Sequence, residues 1–136
     1  RKPQVTPALE GVLDMIARDC ADLVDPWWVF GSAGMALVGV PGLSPPDVDL
    51  IVSERDARTL IVRWDAEPVA AVPSIEIRAG FQSFHQGAWS PVAPSSRCEV
   101  AWKGRTLFTP SAAEQAQICR RFGRPKDLAR VTLLEP

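Results

Sequence analysis

The run Asp47-Val48-Asp49-Leu50-Ile51-Val52 alternates acidic and apolar side chains and then becomes wholly apolar. A β-strand does this when its first part reaches an open edge and its remainder is buried, because successive side chains point to opposite faces. Both aspartates therefore share one face, their carbons roughly 6–7 Å apart from the rise per residue. Two carboxylates so placed repel unless something positive sits between them.

The flanking sequence supplies the rest of an α+β fold. Thr6-Pro7 reads as an N-cap followed by proline at the first helical position, and Leu9, Val12, Leu13, Ile16, Ala17, Cys20 and Leu23 then recur at helical spacing, with the helix ending before Pro26. Trp27 to Phe30 predicts a short buried strand closed by Gly31, and Ala33 to Val40 a short helix, while Pro41 to Pro46 is a loop. Ser53 caps a helix through Trp64 whose buried stripe is expected to be Leu60, Ile61 and Trp64, and Ser74 to Phe84 alternates as a further strand.

Gly, Pro and Ser between Gln86 and Ser96 predict a loop; Cys98 to Trp102 and Arg105 to Phe108 then flank Lys103-Gly104 as a hairpin. Ser111-Ala112-Ala113-Glu114 matches a capping box, opening a helix that runs to Gly123 as its C-cap. Pro125 suits the first turn of a last helix carrying Leu128, Val131 and Leu134 inward. The prediction is one domain over residues 1–136, a mixed β-sheet flanked by helices, with the C-terminal helices of 111–134 packing on the sheet.

Magnesium is the natural occupant between the aspartates, since Mg²⁺ takes oxygen ligands and is usually held by one or two carboxylates with substrate phosphates completing its shell. A third acid would complete a two-ion site. Glu76, in Ser74-Ile75-Glu76-Ile77-Arg78, is the candidate, because its isoleucine neighbours would bury on one face and turn it to the other; Glu99, in Cys98-Glu99-Val100, is the alternative. Gly31-Ser32 supplies a turn where backbone N–H groups and a hydroxyl can approach phosphate oxygens.

Composition narrows the function further. Net charge is −1, from 15 basic and 16 acidic residues, which argues against a protein that binds by blanketing a nucleic acid backbone with positive charge. Cys20, Cys98 and Cys119 are too few and too irregularly spaced for a disulfide framework or a zinc site, so a reducing, cytoplasmic setting is expected. No apolar run reaches the roughly 18 residues that span a bilayer. His85, the single histidine, falls in the predicted loop, and Trp27, Trp28 and Trp64 fall in predicted core elements, leaving Trp89 and Trp102 as candidates for stacking.

Phe30-Gly31-Ser32, Asp47-Val48-Asp49-Leu50 and Ile75-Glu76-Ile77, in that order, resemble the signature of the polymerase β-like nucleotidyltransferase superfamily. The closing Gly123-Arg124-Pro125-Lys126-Asp127-Leu128 is similar to that of its small aminoglycoside and lincosamide adenylyltransferase members. The resemblance implies Mg²⁺-dependent transfer of a nucleoside monophosphate from a nucleoside triphosphate to an acceptor hydroxyl, with release of pyrophosphate. Asp47 and Asp49 would be metal ligands, Glu76 the third ligand and general base, Gly31 and Ser32 the phosphate loop, and Lys126 a nucleotide contact.

The chain departs from the resemblance at Arg78, where those relatives often carry a histidine, and in a proline-rich 33–46 connection without their arginine. A small-molecule acceptor is favoured over RNA by the near-neutral charge. The alternatives are a toxin-type enzyme acting on tRNA or protein and a catalytically inactive binding subunit. The short helical tail leaves room for a homodimer or a helical partner.

Overall fold

The computed structural model describes residues 2–66, 74–80, 82–85, 87–91 and 93–136, and for 66, 82–85 and 88–91 the backbone alone. Helix α1, Pro7–Asp19, buries Leu9, Val12, Leu13, Met15, Ile16 and Ala17 on one stripe. Thr6 does occupy its cap position, and its carbonyl accepts from the amides of Leu9 and Glu10. Its hydroxyl makes no cap bond, however, and is buried without a partner.

Strand β1, Trp28–Phe30, leads directly into α2, Gly31–Leu37, so this helix starts and stops two to three residues earlier than Ala33 to Val40 predicts. Strand β2, Asp47–Val52, follows the proline-rich loop, and α3, Glu54–Ala66, lies in the connection to β3, Ser74–Ala79. Strand β2 pairs antiparallel with β1 and parallel with β3, giving a mixed sheet of order β1-β2-β3. Parallel pairing demands a long crossover, and α3 belongs to it.

The period of two divides this sheet into unlike faces. Val29, Val48, Leu50 and Val52 turn to one side and are buried with Leu13, Ile16, Leu37, Leu60 and Leu107, and Ile75 and Ile77 pack against the same core. The opposite face carries Asp47, Asp49 and Glu76. Its other end is covered by α4, Ala112–Phe122, through Ile118 and Phe122 against Trp28, Phe30 and Ile51. At the acidic end of the face the side chains of Asp49 and Glu76 stay partly exposed.

Beyond β3 the chain differs from expectation. Gly80, at φ 64°, breaks the predicted Ser74 to Phe84 strand in two, and its second part, β4, Gln82–His85, pairs with β5, Ala88–Pro91, which lies inside the segment predicted as a loop. The side chains of His85 and Trp89 lie outside the described residues. Strands β6, Cys98–Trp102, and β7, Arg105–Thr109, form the expected hairpin, with both turn residues Lys103 and Gly104 at positive φ as a two-residue turn of this twist requires.

Helix α5, Pro125–Leu134, ends the fold by packing on α4, with Val131 and Leu134 inward but Leu128 exposed. Residue 127 takes the place on the buried stripe that Leu128 was expected to hold. Likewise α3 buries Ala57 and Leu60 with Trp64 partly covered, while Ile61 faces outward.

Half of the predicted capping box forms. Ser111 Oγ accepts from the Glu114 amide at 3.1 Å. The Glu114 carboxylate does not return to the Ser111 amide, which donates to Ser96 Oγ at 2.9 Å. It binds instead the backbone amides of Ser95 and Ser96, each at 2.7 Å, and both serine hydroxyls, fastening the segment before β6 to the start of α4. Among the described residues, no helix is long and apolar enough to cross a membrane.

Candidate active site

Asp47 and Asp49 sit at the start of β2 on the same face, each half-buried, as the alternation predicts. The parallel register places Glu76 directly opposite Asp49 and Ser74 opposite Asp47, on a strand about 4.8 Å away. Glu76 is thus brought beside the aspartates. Glu99 stands exposed on β6, in a different sheet, opposite Phe108.

On the other flank, Phe30 is the register partner of Asp49, so the turn into α2 falls beside the acids. Gly31 has φ +66°, and a Cβ placed on it would lie 2.7 Å from Asp49 Oδ2. The backbone of the turn therefore rests against the carboxylate, which only a residue without a side chain allows. Ser32, the next residue, is held through its hydroxyl by Arg130 of α5 at 3.0 Å.

The acids also have an internal cation. Arg78, two residues beyond Glu76 on the same strand face, donates from Nε to Asp49 Oδ1 at 3.2 Å and from its terminal nitrogen to Glu76 Oε2. Its side chain is 39% exposed, against 30% for Asp49 and 40% for Glu76. Among the described residues, no three His, Cys, Asp or Glu side chains converge as a ready-made metal cage. With the guanidinium between them, Asp49 and Glu76 are turned to Arg78 instead.

The donor set nonetheless suits a hard divalent cation. It consists of carboxylate oxygens from two adjacent strands, partly open to solvent, whose mutual repulsion already calls for a positive charge. A cation entering here would have to displace Arg78 from at least one carboxylate.

Sequence comparison leaves the chain unassigned: no protein-family model and no curated protein matches it. Solved structures do match. A Thermotoga maritima protein provisionally assigned as a nucleotidyltransferase superposes with a TM-score of 0.74, over 98% of each chain, at 19% sequence identity. The lincosamide antibiotic adenylyltransferase LnuA, solved with lincomycin bound, superposes with a TM-score of 0.58, again over 98% of each chain, at 13% identity. The chain shares the fold of these two proteins, an α+β nucleotidyltransferase fold.

Within the nucleotidyltransferase fold, the C-terminal helix of this chain reaches the glycine turn by a route that its sequence conceals. Lys126, the predicted nucleotide contact, is exposed in the first turn of α5, and Arg130, one turn further on, is the residue that contacts Ser32. Arg130 is itself positioned by Asp127, which is fully buried and also receives both Nε and the terminal nitrogen of Arg124, at 2.6 and 3.2 Å. Arg120, near the end of α4, pairs with Glu135 of the C-terminal tail.

A second buried network fixes the strand that leads into the turn. Thr109 donates from its hydroxyl to the Val29 carbonyl at 2.9 Å, and Gln115 donates to the carbonyls of Gly34 and Pro110 at 3.2 and 2.8 Å. Gly34 has no room for a side chain here, since a Cβ would lie 2.8 Å from Thr109 Oγ1 and 3.0 Å from the Val29 carbonyl. Neither Thr109 nor Gln115 stands out in the sequence, because the bonds that tie them to Val29 and Gly34 reach a backbone about eighty residues away.

Among the described residues, the tryptophans singled out by the sequence have structural partners. Trp27 is buried edge-on to Phe108, with ring centroids 5.1 Å apart, and the indoles of Trp28, Trp64 and Trp102 donate to the Ser96 carbonyl, Asp19 and Asp14. All three cysteines are free, and burial pushes the Cys20 and Cys119 thiols up, so neither ionises to a thiolate nucleophile.

Proposed function

We propose that this protein is a metal-dependent nucleotidyltransferase, moving a nucleoside monophosphate from a nucleoside triphosphate to an acceptor hydroxyl with release of pyrophosphate. The observation that carries it is the pairing of Glu76 with Asp49 across β2 and β3, with the Gly31 backbone against the same aspartate. Carboxylates gathered beside a glycine turn favour a polyphosphate and its cations over any uncharged ligand.

In this reading Asp47, Asp49 and Glu76 hold one or two Mg²⁺ ions. Bound there, Mg²⁺ would supply positive charge to the phosphoryl oxygens and neutralise the leaving pyrophosphate. Gly31 and Ser32 seat the phosphates, with Ser32 steadied by Arg130. Glu76 is also the proposed general base for the acceptor hydroxyl, a role its part-exposed carboxylate supports.

A small-molecule acceptor is the proposed second substrate. The net charge of −1 offers no broad basic surface for RNA, and the fold neighbour LnuA holds lincomycin, itself a small molecule.

The test is calorimetric titration of ATP, GTP, CTP and UTP in the presence of Mg²⁺. At least one is expected to bind the wild-type protein, and Asp47→Ala or Asp49→Ala to abolish that binding. Indifference to all four nucleotides would refute the proposal.

A further inference from the structure

We propose that Arg78 is an exchangeable cation: it neutralises the acid cluster while metal is absent, and becomes a ligand of the triphosphate once a divalent ion has displaced it. This rests on the metal and triphosphate reading given above. Two ion pairs of the guanidinium mark the first state, since they span from Asp49 on β2 to Glu76 on β3.

Charge requires the exchange. Asp47, Asp49 and Glu76 contribute three formal negative charges and Arg78 one positive charge, so these four side chains sum formally to −2. A divalent ion balances that sum, but it needs the carboxylate lone pairs that now accept from Arg78, and two cations sharing them would repel. The metal and the guanidinium therefore compete for Asp49 and Glu76.

The displaced side chain stays within reach of the site. Arg78 is anchored on the strand that carries Glu76, on the same face, and is partly exposed, so its guanidinium can swing without unpacking the core. A guanidinium presents five donors in a planar fork that matches phosphate oxygens, and a triphosphate held by the metal would bring those oxygens to it. Metal alone thus works against Arg78, whereas metal and nucleotide together recruit it. By thermodynamic linkage each then raises the affinity for the other.

The test uses Mn²⁺ as the metal probe, with free Mn²⁺ followed by electron paramagnetic resonance, on the wild-type protein, Arg78→Gln, Arg78→Lys and Asp49→Asn. Circular dichroism establishes that each variant is folded. Arg78→Gln is expected to bind Mn²⁺ alone about tenfold more tightly than wild type, the change expected when one or two part-exposed ion pairs no longer compete. Arg78→Lys keeps the charge and is expected to stay near wild type in that titration.

With Mg²⁺ and whichever nucleotide binds the wild-type protein most tightly, the order reverses, and Arg78→Gln is expected to lose roughly tenfold in nucleotide affinity. If Asp49→Asn abolishes Mn²⁺ binding while Arg78→Gln binds no more tightly than wild type, the exchange is overturned and the metal site stands. If Asp49→Asn leaves Mn²⁺ binding unchanged, the metal site is wrong and the exchange falls with it.

Discussion

Replacing Gly31 by alanine probes the closest backbone approach in the site. At φ +66° an L-residue meets a steric cost of about 1–2 kcal/mol whatever its surroundings. The added methyl would also stand 2.7 Å from Asp49 Oδ2. That oxygen is at the end of a side chain, so the carboxylate would rotate away and loosen its contact with Arg78, a part-exposed ion pair worth at most about 1 kcal/mol.

The expected total for Gly31→Ala is about 1–3 kcal/mol, measured as a lower urea midpoint at unchanged slope in metal-free buffer. A double-mutant cycle separates the two parts. With Asp49→Ala already in place the methyl has no carboxylate to strike, so Gly31→Ala should then cost only the backbone part of about 1–2 kcal/mol. Equal costs in both backgrounds would show that the turn does not rest on Asp49. A cost below about 0.5 kcal/mol would show that residue 31 is not in the left-handed region at all.

Burial pushes the Glu114 carboxyl up, but the hydrogen bonds from Ser95 and Ser96 together outweigh it and hold it below its ordinary value of 4.5. A depressed folded value means stabilisation that is complete above the unfolded pKa and lost as pH falls through the folded one. Glu114→Gln should therefore be about 1–2 kcal/mol less stable than wild type in denaturant melts at neutral pH, with the gap closing below about pH 4.5. Asp127→Ala should destabilise the fold by about 1–2 kcal/mol in thermal melts, because it removes the buried acceptor of two Arg124 hydrogen bonds while the arginines themselves stay in reach of water, and Asp127→Asn should cost less.

Asp47, Asp49 and Glu76 were legible because a strand's period of two is insensitive to context: wherever the sheet lies, residues 47 and 49 share a face, and Ile75 and Ile77 turn Glu76 the other way. Helix phase is less secure. In α5 the buried stripe runs through residues 127, 131 and 134, and a sequence reader chooses Leu128 over Asp127 because burying an aspartate makes sense only once Arg124 and Arg130 are seen to flank it.

The same limit hides Arg78 and Glu114. In the sequence Arg78 is marked only as a departure from the relatives' histidine, and its carboxylate partners become visible once the register sets Asp49 beside Glu76; Glu114 completes a local capping box until Ser95 and Ser96 arrive as stronger partners. The pairing of β4 with β5 escaped because Gly87, at φ 76°, belongs equally to a loop and to a hairpin turn.

The contact between Arg130 and Ser32 joins residues 98 positions apart, and Thr109 reaches Val29 across 80. On the ribosome, the glycine turn must therefore emerge long before the helix that steadies it. Fragments lacking α5 would expose Asp47, Asp49 and Glu76 without a fixed Ser32. Such distant closures favour slow folding over rapid local assembly.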